Sequence, residues 1–242
     1  GRYWPNKLAE GADCYMQPIW HPSGEAFAWV EWDHPNMPWD GTRLMYAVLE
    51  DDPPKIQAAQ NLAGGVDIPI LQPAFSPNGR YLSYVQNQGE WDQLILRDLK
   101  EGTSKTLLEG AAMLKPAWIQ GVVVQAWSPD SSQILFLQTQ AGVSTLSQVD
   151  VKSGEVTDVD MSPYTNMAQP SINLKGHVSL LTSAPSISRR VISKKEDQIT
   201  IHQRSTSETI PPEDLPVPYE INWTSSDGEM VYGIYSPPTS SR

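Results

Sequence analysis

The densest grouping of reactive side chains is the run Trp32-Asp33-His34-Pro35-Asn36-Met37-Pro38-Trp39-Asp40-Gly41. Two carboxylates, an imidazole and an amide fall within eight positions, flanked or interrupted by two indoles. Tryptophan supplies rigid contact area, and carboxylates can take up an ammonium group. Trp32, Asp33, His34, Asn36, Trp39 and Asp40 are therefore the candidate site residues. The same stretch has a second reading as a loop packed on itself. Its indoles would lie against Pro35 and Pro38, and Asp33 and Asp40 would cap turns. Both readings stay open at the level of sequence.

Other chemistry finds less support. A serine nucleophile needs the strained elbow Gly-x-Ser-x-Gly to expose its hydroxyl. No such pentapeptide occurs. The nearest, Gly142-Val143-Ser144-Thr145-Leu146, lacks the second glycine and falls in a strand pattern, so no catalytic residue is assigned. The histidines His21, His34, His177 and His202 form no ligand-spaced group, so neither a metal nor a cofactor is expected. His21 reads as a turn residue, and His177 and His202 as structural. The acids Glu50-Asp51-Asp52 run into Pro53-Pro54 and read as a solvated turn rather than a glycosidase pair. Arg189-Arg190 and Lys194-Lys195 are offset by Glu196-Asp197 and are too short a cluster for nucleic acid.

The elements that position these residues come from an internal repeat. Trp20-His21-Pro22-Ser23-Gly24, Phe75-Ser76-Pro77-Asn78-Gly79 and Trp127-Ser128-Pro129-Asp130-Ser131 align, each followed by an apolar β-rich run. A degenerate fourth copy is Ile172-Asn173-Leu174-Lys175-Gly176-His177. In the three full copies an aromatic residue ends a strand. Proline then pre-sets φ, Asn or Asp caps the turn, and glycine tolerates positive φ. A second strand–turn–strand follows, as in Leu94–Leu99 with Lys105–Leu108 and Ser147–Val151 with Val156–Val159. Two hairpins per repeat predict a four-stranded propeller blade. From Pro22 to Leu44 is 22 positions, against 17 from Pro77 to Leu94, so the first blade carries an insertion within 32–41. That insertion should emerge on the face opposite the proline turns. Trp4-Pro5-Asn6-Lys7-Leu8 reads as an outer strand of a preceding blade, followed by the connector Gly11-Ala12-Asp13.

Composition narrows the partners. Twenty-one prolines and nine tryptophans suit short strands joined by turns, not long helices. A net charge of −11 disfavours nucleic acid and anionic membrane surfaces, and no apolar run is long enough to span a bilayer. The lone Cys14 permits no internal disulfide, and a cytoplasmic location is expected. The sequence starts Gly1-Arg2-Tyr3-Trp4-Pro5, without Met, and is expected to be a cut or processed chain.

The proline-turn repeats resemble the blades of TolB-like proteins and of prolyl-oligopeptidase-type serine peptidases. The run from Trp32 to Thr42 resembles a segment of the dipeptidyl aminopeptidase/acylaminoacyl peptidase branch. Pro218-Tyr219-Glu220-Ile221-Asn222-Trp223-Thr224-Ser225-Ser226-Asp227-Gly228, then Val231 to Thr239, resembles the point where that family leaves its propeller for an α/β-hydrolase domain. The resemblance implies an all-β fold, a partial ring of about four to five blades. Residues 1–218 would be the propeller, and 219–242 a linker and first strand toward an absent hydrolase domain holding the Ser-Asp-His triad. The propeller would gate peptide access and pack on that domain, with the 32–41 loop lining the peptide cavity or the domain interface. A partial ring also leaves open blade edges, which invite self-association. The rival readings are a stand-alone TolB-like interaction propeller and a propeller glycosidase or lyase with acids facing inward from several blades.

Overall fold

The computed structural model describes residues 5–50, 55–113, 121–207 and 210–239. Four four-stranded antiparallel sheets follow one another along the chain. The first is β1 (Cys14–Trp20), β2 (Ala26–Trp32), β3 (Arg43–Glu50) and β4 (Lys55–Gly64). The second is β5 (Ile70–Phe75), β6 (Tyr81–Asn87), β7 (Asp92–Asp98) and β8 (Thr103–Ala111). The third is β9 (Gln125–Trp127), β10 (Gln133–Gln140), β11 (Val143–Asp150) and β12 (Val156–Val159). The fourth is β13 (Asn166–Ile172), β14 (Val178–Ala184), β15 (Ile187–Lys195) and β16 (Gln198–Arg204). A separate hairpin, β17 (Tyr219–Thr224) and β18 (Met230–Tyr235), comes last. Among the described residues the only helical segment is the 3₁₀ turn Pro212–Asp214, and no helix is long and apolar enough to cross a membrane.

Within each sheet the strands run in chain order, and the first strands β1, β5, β9 and β13 neighbour one another in that order. The sheets therefore radiate from a shared inner edge, as propeller blades do. The hydrophobic core lies between blades rather than within one. Ala28, Val30 and Leu44 of the first sheet meet Ile70, Leu82 and Tyr84 of the second. Leu94 and Leu96 of the second meet Ile134 and Phe136 of the third, and Leu135 and Leu137 of the third meet Leu180 and Ile192 of the fourth. Successive residues of a strand point to opposite faces. The run Ile134-Leu135-Phe136-Leu137 is apolar throughout because both of its faces are covered.

The proline turns form as their residue types dictate. Ser76 N–H donates to Tyr81 C=O at 2.9 Å, and the Ser76 hydroxyl accepts from Tyr81 N–H at 2.9 Å and donates to Asn78 Oδ1 at 2.7 Å. Gly79 closes the turn at φ +72°. Ser128 and Asp130 repeat the arrangement, with Ser131 taking the glycine position at φ +63°. The degenerate fourth copy is a true turn, with Gly176 N–H bonded to Asn173 C=O at 2.9 Å. The same chemistry recurs at Ser225-Ser226-Asp227-Gly228 between β17 and β18, where the Ser225 hydroxyl donates to Asp227.

One expectation fails. Residues 5–10 form no strand, and Trp4 lies outside the described residues. Pro5 has no N–H to give a ladder. Lys7 and Glu10 fold onto each other at 2.6 Å, and Leu8 and Ala9 pack on Phe27 and Trp29 instead. Asp51 to Pro54, read as a turn, also lie outside the described residues.

Candidate functional site

The loop between β2 and β3 holds ten residues, 33–42, where the corresponding connector holds four in the second sheet (88–91) and two in the third (141–142). It leaves the end of the sheet opposite the turn at residues 21–25, because antiparallel strands alternate ends. The connectors 65–69, 141–142 and 185–186 emerge on that same face. So does the contact with the last hairpin: a Cβ placed on Gly142 would lie 2.1 Å from Ile234 Cδ1 of β18.

An ion-pair network fixes the root of the loop. Glu31, the penultimate residue of β2, faces Arg43, the first residue of β3, across the ladder. Glu31 is only 8% exposed. One carboxylate oxygen accepts the Trp29 indole N–H at 2.7 Å, and the other takes Arg43 Nη2 at 3.2 Å. The same Nη2 reaches Asp33 Oδ2 at 2.7 Å. Arg43 and the Asp13 backbone N–H hold the Asp33 carboxyl below the usual carboxylate range. Asp13 then accepts the His34 backbone N–H at 2.9 Å, tying the strand before β1 to the loop.

Farther out, the Asp40 carboxylate accepts Met37 N–H at 2.8 Å and caps a turn. Asn36 Nδ2 donates to Val66 C=O at 2.6 Å, joining the loop to the 65–69 connector. Thr42 finishes the clasp. Its hydroxyl accepts Ile70 N–H at 2.6 Å and donates to Ile70 C=O at 3.0 Å, and its own N–H donates to Ile68 C=O at 3.2 Å. Trp32 packs into the core between the first two sheets. Pro38 is buried, while His34 is exposed and Trp39 is 45% exposed.

The six candidates therefore divide. Asp33, Asn36 and Asp40 are engaged in holding the loop, and Trp32 in packing it. His34 and Trp39 present side-chain surface outward on the connector face. The residues that set the loop's geometry, Asp13, Glu31, Thr42 and Arg43, were not singled out in the sequence. The signal for one pair was present: a hairpin insertion brings the last residues of one strand opposite the first of the next.

The shared inner edge of the sheets carries a second pattern. Gln17, Gln72 and Gln169 each precede a proline and sit at bulges with φ of +50°, +60° and +58°. Gln17 Oε1 accepts Gln72 N–H at 2.6 Å, and Gln72 Oε1 accepts Val124 N–H at 3.2 Å. Gln125 Nε2 donates to Gln72 C=O. Amide side chains thus join neighbouring blades where no sheet ladder runs. β1, β5, β9 and β13 contain no Asp or Glu, so the inward-facing acids that a glycosidase needs do not come from these strands.

The remaining histidines have neighbours in the scaffold. His21 Nε2–H donates to Gly79 C=O at 2.8 Å, joining the turns of the first two blades. His177 donates its backbone N–H to Asn173 Oδ1 at 3.0 Å, and His202 Nε2 is 2.7 Å from the Ser193 hydroxyl. Ser144 is buried in β11, where its N–H donates to Thr165 C=O at 2.8 Å.

No protein-family model matches the sequence, and no curated protein matches it. Solved structures do. A Mycobacterium tuberculosis puromycin-hydrolyzing peptidase superposes with a TM-score of 0.85 at 24% identity, over 96% of this chain and 35% of that one. A puromycin hydrolase superposes with a TM-score of 0.84 at 24% identity, over 95% of this chain and 34% of that one. TolB from Acinetobacter baumannii aligns with a TM-score of only 0.38 at 14% identity, over 92% of this chain and 60% of that one. The chain spans about a third of the length of the two peptidases it matches. Radiating four-stranded blades, proline-turn repeats and these superpositions together establish the fold: the chain is a run of β-propeller blades.

Proposed function

We propose that this chain is the non-catalytic propeller portion of a serine peptidase of the prolyl-oligopeptidase family, of the acylaminoacyl or dipeptidyl type. Residues 1–218 are its propeller and 219–242 lead to an α/β-hydrolase domain of the same polypeptide. The propeller restricts which peptides reach the active site and packs on the hydrolase domain. The enzyme works in the cytoplasm, in keeping with a single free cysteine, Cys14.

The observation that carries this reading is a shared face. The 33–42 loop and the β17–β18 hairpin lie at the same end of the blades, the hairpin being placed there by the contact of Ile234 with Gly142. Those two segments are the ones whose sequences resemble the peptidase branch. A hydrolase domain continuing from β18 would meet the face that presents His34 and Trp39. The hairpin also shows apolar surface to a partner, with Tyr232 78% and Ile234 55% exposed.

The test uses the full-length polypeptide. Replacing residues 34–39 by a short Gly-Ser link, while keeping Asp33 and Asp40, is expected to raise kcat/KM several-fold for long peptides and leave the shortest substrates unchanged. An unaltered length profile contradicts the gating role.

A further inference from the structure

We propose that the cleft between the third and fourth sheets binds a carboxylate bearing a branched aliphatic chain, of the size of a leucine residue. The cleft encloses about 320 Å³ and is bordered by the apolar Val124, Leu137 and Met167 and by the polar Asn166, Thr182 and Arg189. That volume lies at the lower end of the range for small-molecule sites.

Charge decides the ligand's sign. The chain carries 28 acidic against 17 basic residues, yet among the described residues no Asp or Glu borders this cleft. The larger cleft between the second and third sheets, about 640 Å³, is bordered by Asp98, Asp130 and Asp150 together with Lys105 and Lys152. Arg189 is exposed and makes no ion pair among the described residues. A planar guanidinium without a counter-charge, beside an apolar wall, is the arrangement that takes a carboxylate through paired N–H donors.

Two further features show that the walls are built. Gln169 braces one of them, accepting Val123 N–H at 3.0 Å and donating to Gly121 C=O at 2.9 Å. Thr182 is 1% exposed and its Oγ1 has no hydrogen-bond partner among the described residues. A buried hydroxyl without a partner is rare in folded proteins. Thr182 borders the cleft, where a ligand oxygen would give this hydroxyl a partner. The ends of β13 and β14 that carry Asn166 and Ser183 point to the same face as the 33–42 loop. The binding belongs to this chain alone and does not rest on the peptidase reading.

The 242-residue chain is titrated by calorimetry and by amide NMR with N-acetyl-leucine, N-acetyl-leucinamide and the free-acid tripeptide Ala-Ala-Leu. Saturable binding of N-acetyl-leucine, with shifts at Met167 and Thr182, is expected, and the amide should bind about tenfold more weakly. Arg189→Gln should weaken the acid by about tenfold and leave the amide unchanged. Thr182→Val should weaken both, with the thermal midpoint of each variant checked first. Tripeptide affinity equal to or above that of N-acetyl-leucine identifies a peptide C terminus as the source of the carboxylate. Binding of the small acid alone identifies a free acid. No saturation by either acid, equal affinity for acid and amide, or indifference to Arg189→Gln overturns the proposal.

Discussion

Gln17 accepts the backbone N–H of Gln72 at 2.6 Å, so one carboxamide joins the innermost strands of two blades. The two residues occupy the same place in successive repeats, each at a bulge and before a proline. Removing the acceptor leaves a buried N–H without a partner, which costs about 1–3 kcal/mol. Gln17→Ala is therefore expected to lower the urea midpoint by that amount, while Gln203→Ala on exposed β16 stays within about 0.5 kcal/mol. Equal midpoints for the two variants would show that the inter-blade bond adds nothing.

Arg43 serves two carboxylates, and Glu31 is the more buried of them. Arg43→Met keeps the aliphatic stem but strands the Glu31 charge beside the Trp29 indole. A loss of about 2 kcal/mol or more is expected from chemical denaturation.

The same substitution should be visible in a titration. In the folded chain Asp33 sits below the ordinary carboxylate range because Arg43, then the Asp13 N–H, favour its charged form. Its contribution is therefore complete above the unfolded value of about 4 and is lost as pH falls through the lower folded value. In Arg43→Met the Asp33 carboxyl should titrate at higher pH by carbon-detected NMR, and acid unfolding should begin earlier. An unmoved Asp33 titration would contradict the network.

Gly41 lies where the loop touches the 65–69 connector. A Cβ there would come 2.2 Å from the Val66 carbonyl carbon and oxygen, which are backbone atoms with little room to yield. Gly41→Ala should cost about 1–3 kcal/mol by overpacking and should speed amide exchange at Thr42 and Ile70. Wild-type exchange at both amides would show that the contact is not tight.

Trp20 is 57% exposed and packs on Phe27, with ring centroids 5.7 Å apart, on the side of the first sheet turned away from the second. This apolar face is expected to drive concentration-dependent self-association of the isolated chain. Light scattering should show it, and Trp20→Ser should weaken it. A strictly monomeric chain over the whole concentration range would contradict it.

The blades were legible because their turns depend on local residue types. Pro22, Pro77 and Pro129 mark three hairpins, and Asn173 with Gly176 marks the fourth in spite of a missing proline. The insertion in the first blade could be located from spacing alone. The Gln-Pro pairs at 17, 72 and 169 were equally visible, but the third blade breaks the pattern with Val124-Gln125-Ala126. Their role depends on which blades become neighbours. Residues 5–8 misled because an apolar–polar run reads as a strand until its hydrogen-bond partner is sought. The candidate loop lies between the second and third strands of its blade, as its spacing implies, and its carboxylates Asp33 and Asp40 hold contacts within the scaffold. What locks it, Arg43 with Glu31 and Asp33, becomes apparent only when the β2–β3 register is known.

The peptidase reading is tested most directly by the coding sequence that follows the codon for Arg242. The account predicts an open frame that encodes a Gly-x-Ser-x-Gly elbow, with fluorophosphonate labelling of the longer polypeptide and none of residues 1–242. A stop codon directly after Arg242, or labelling of the 242-residue chain itself, would contradict it.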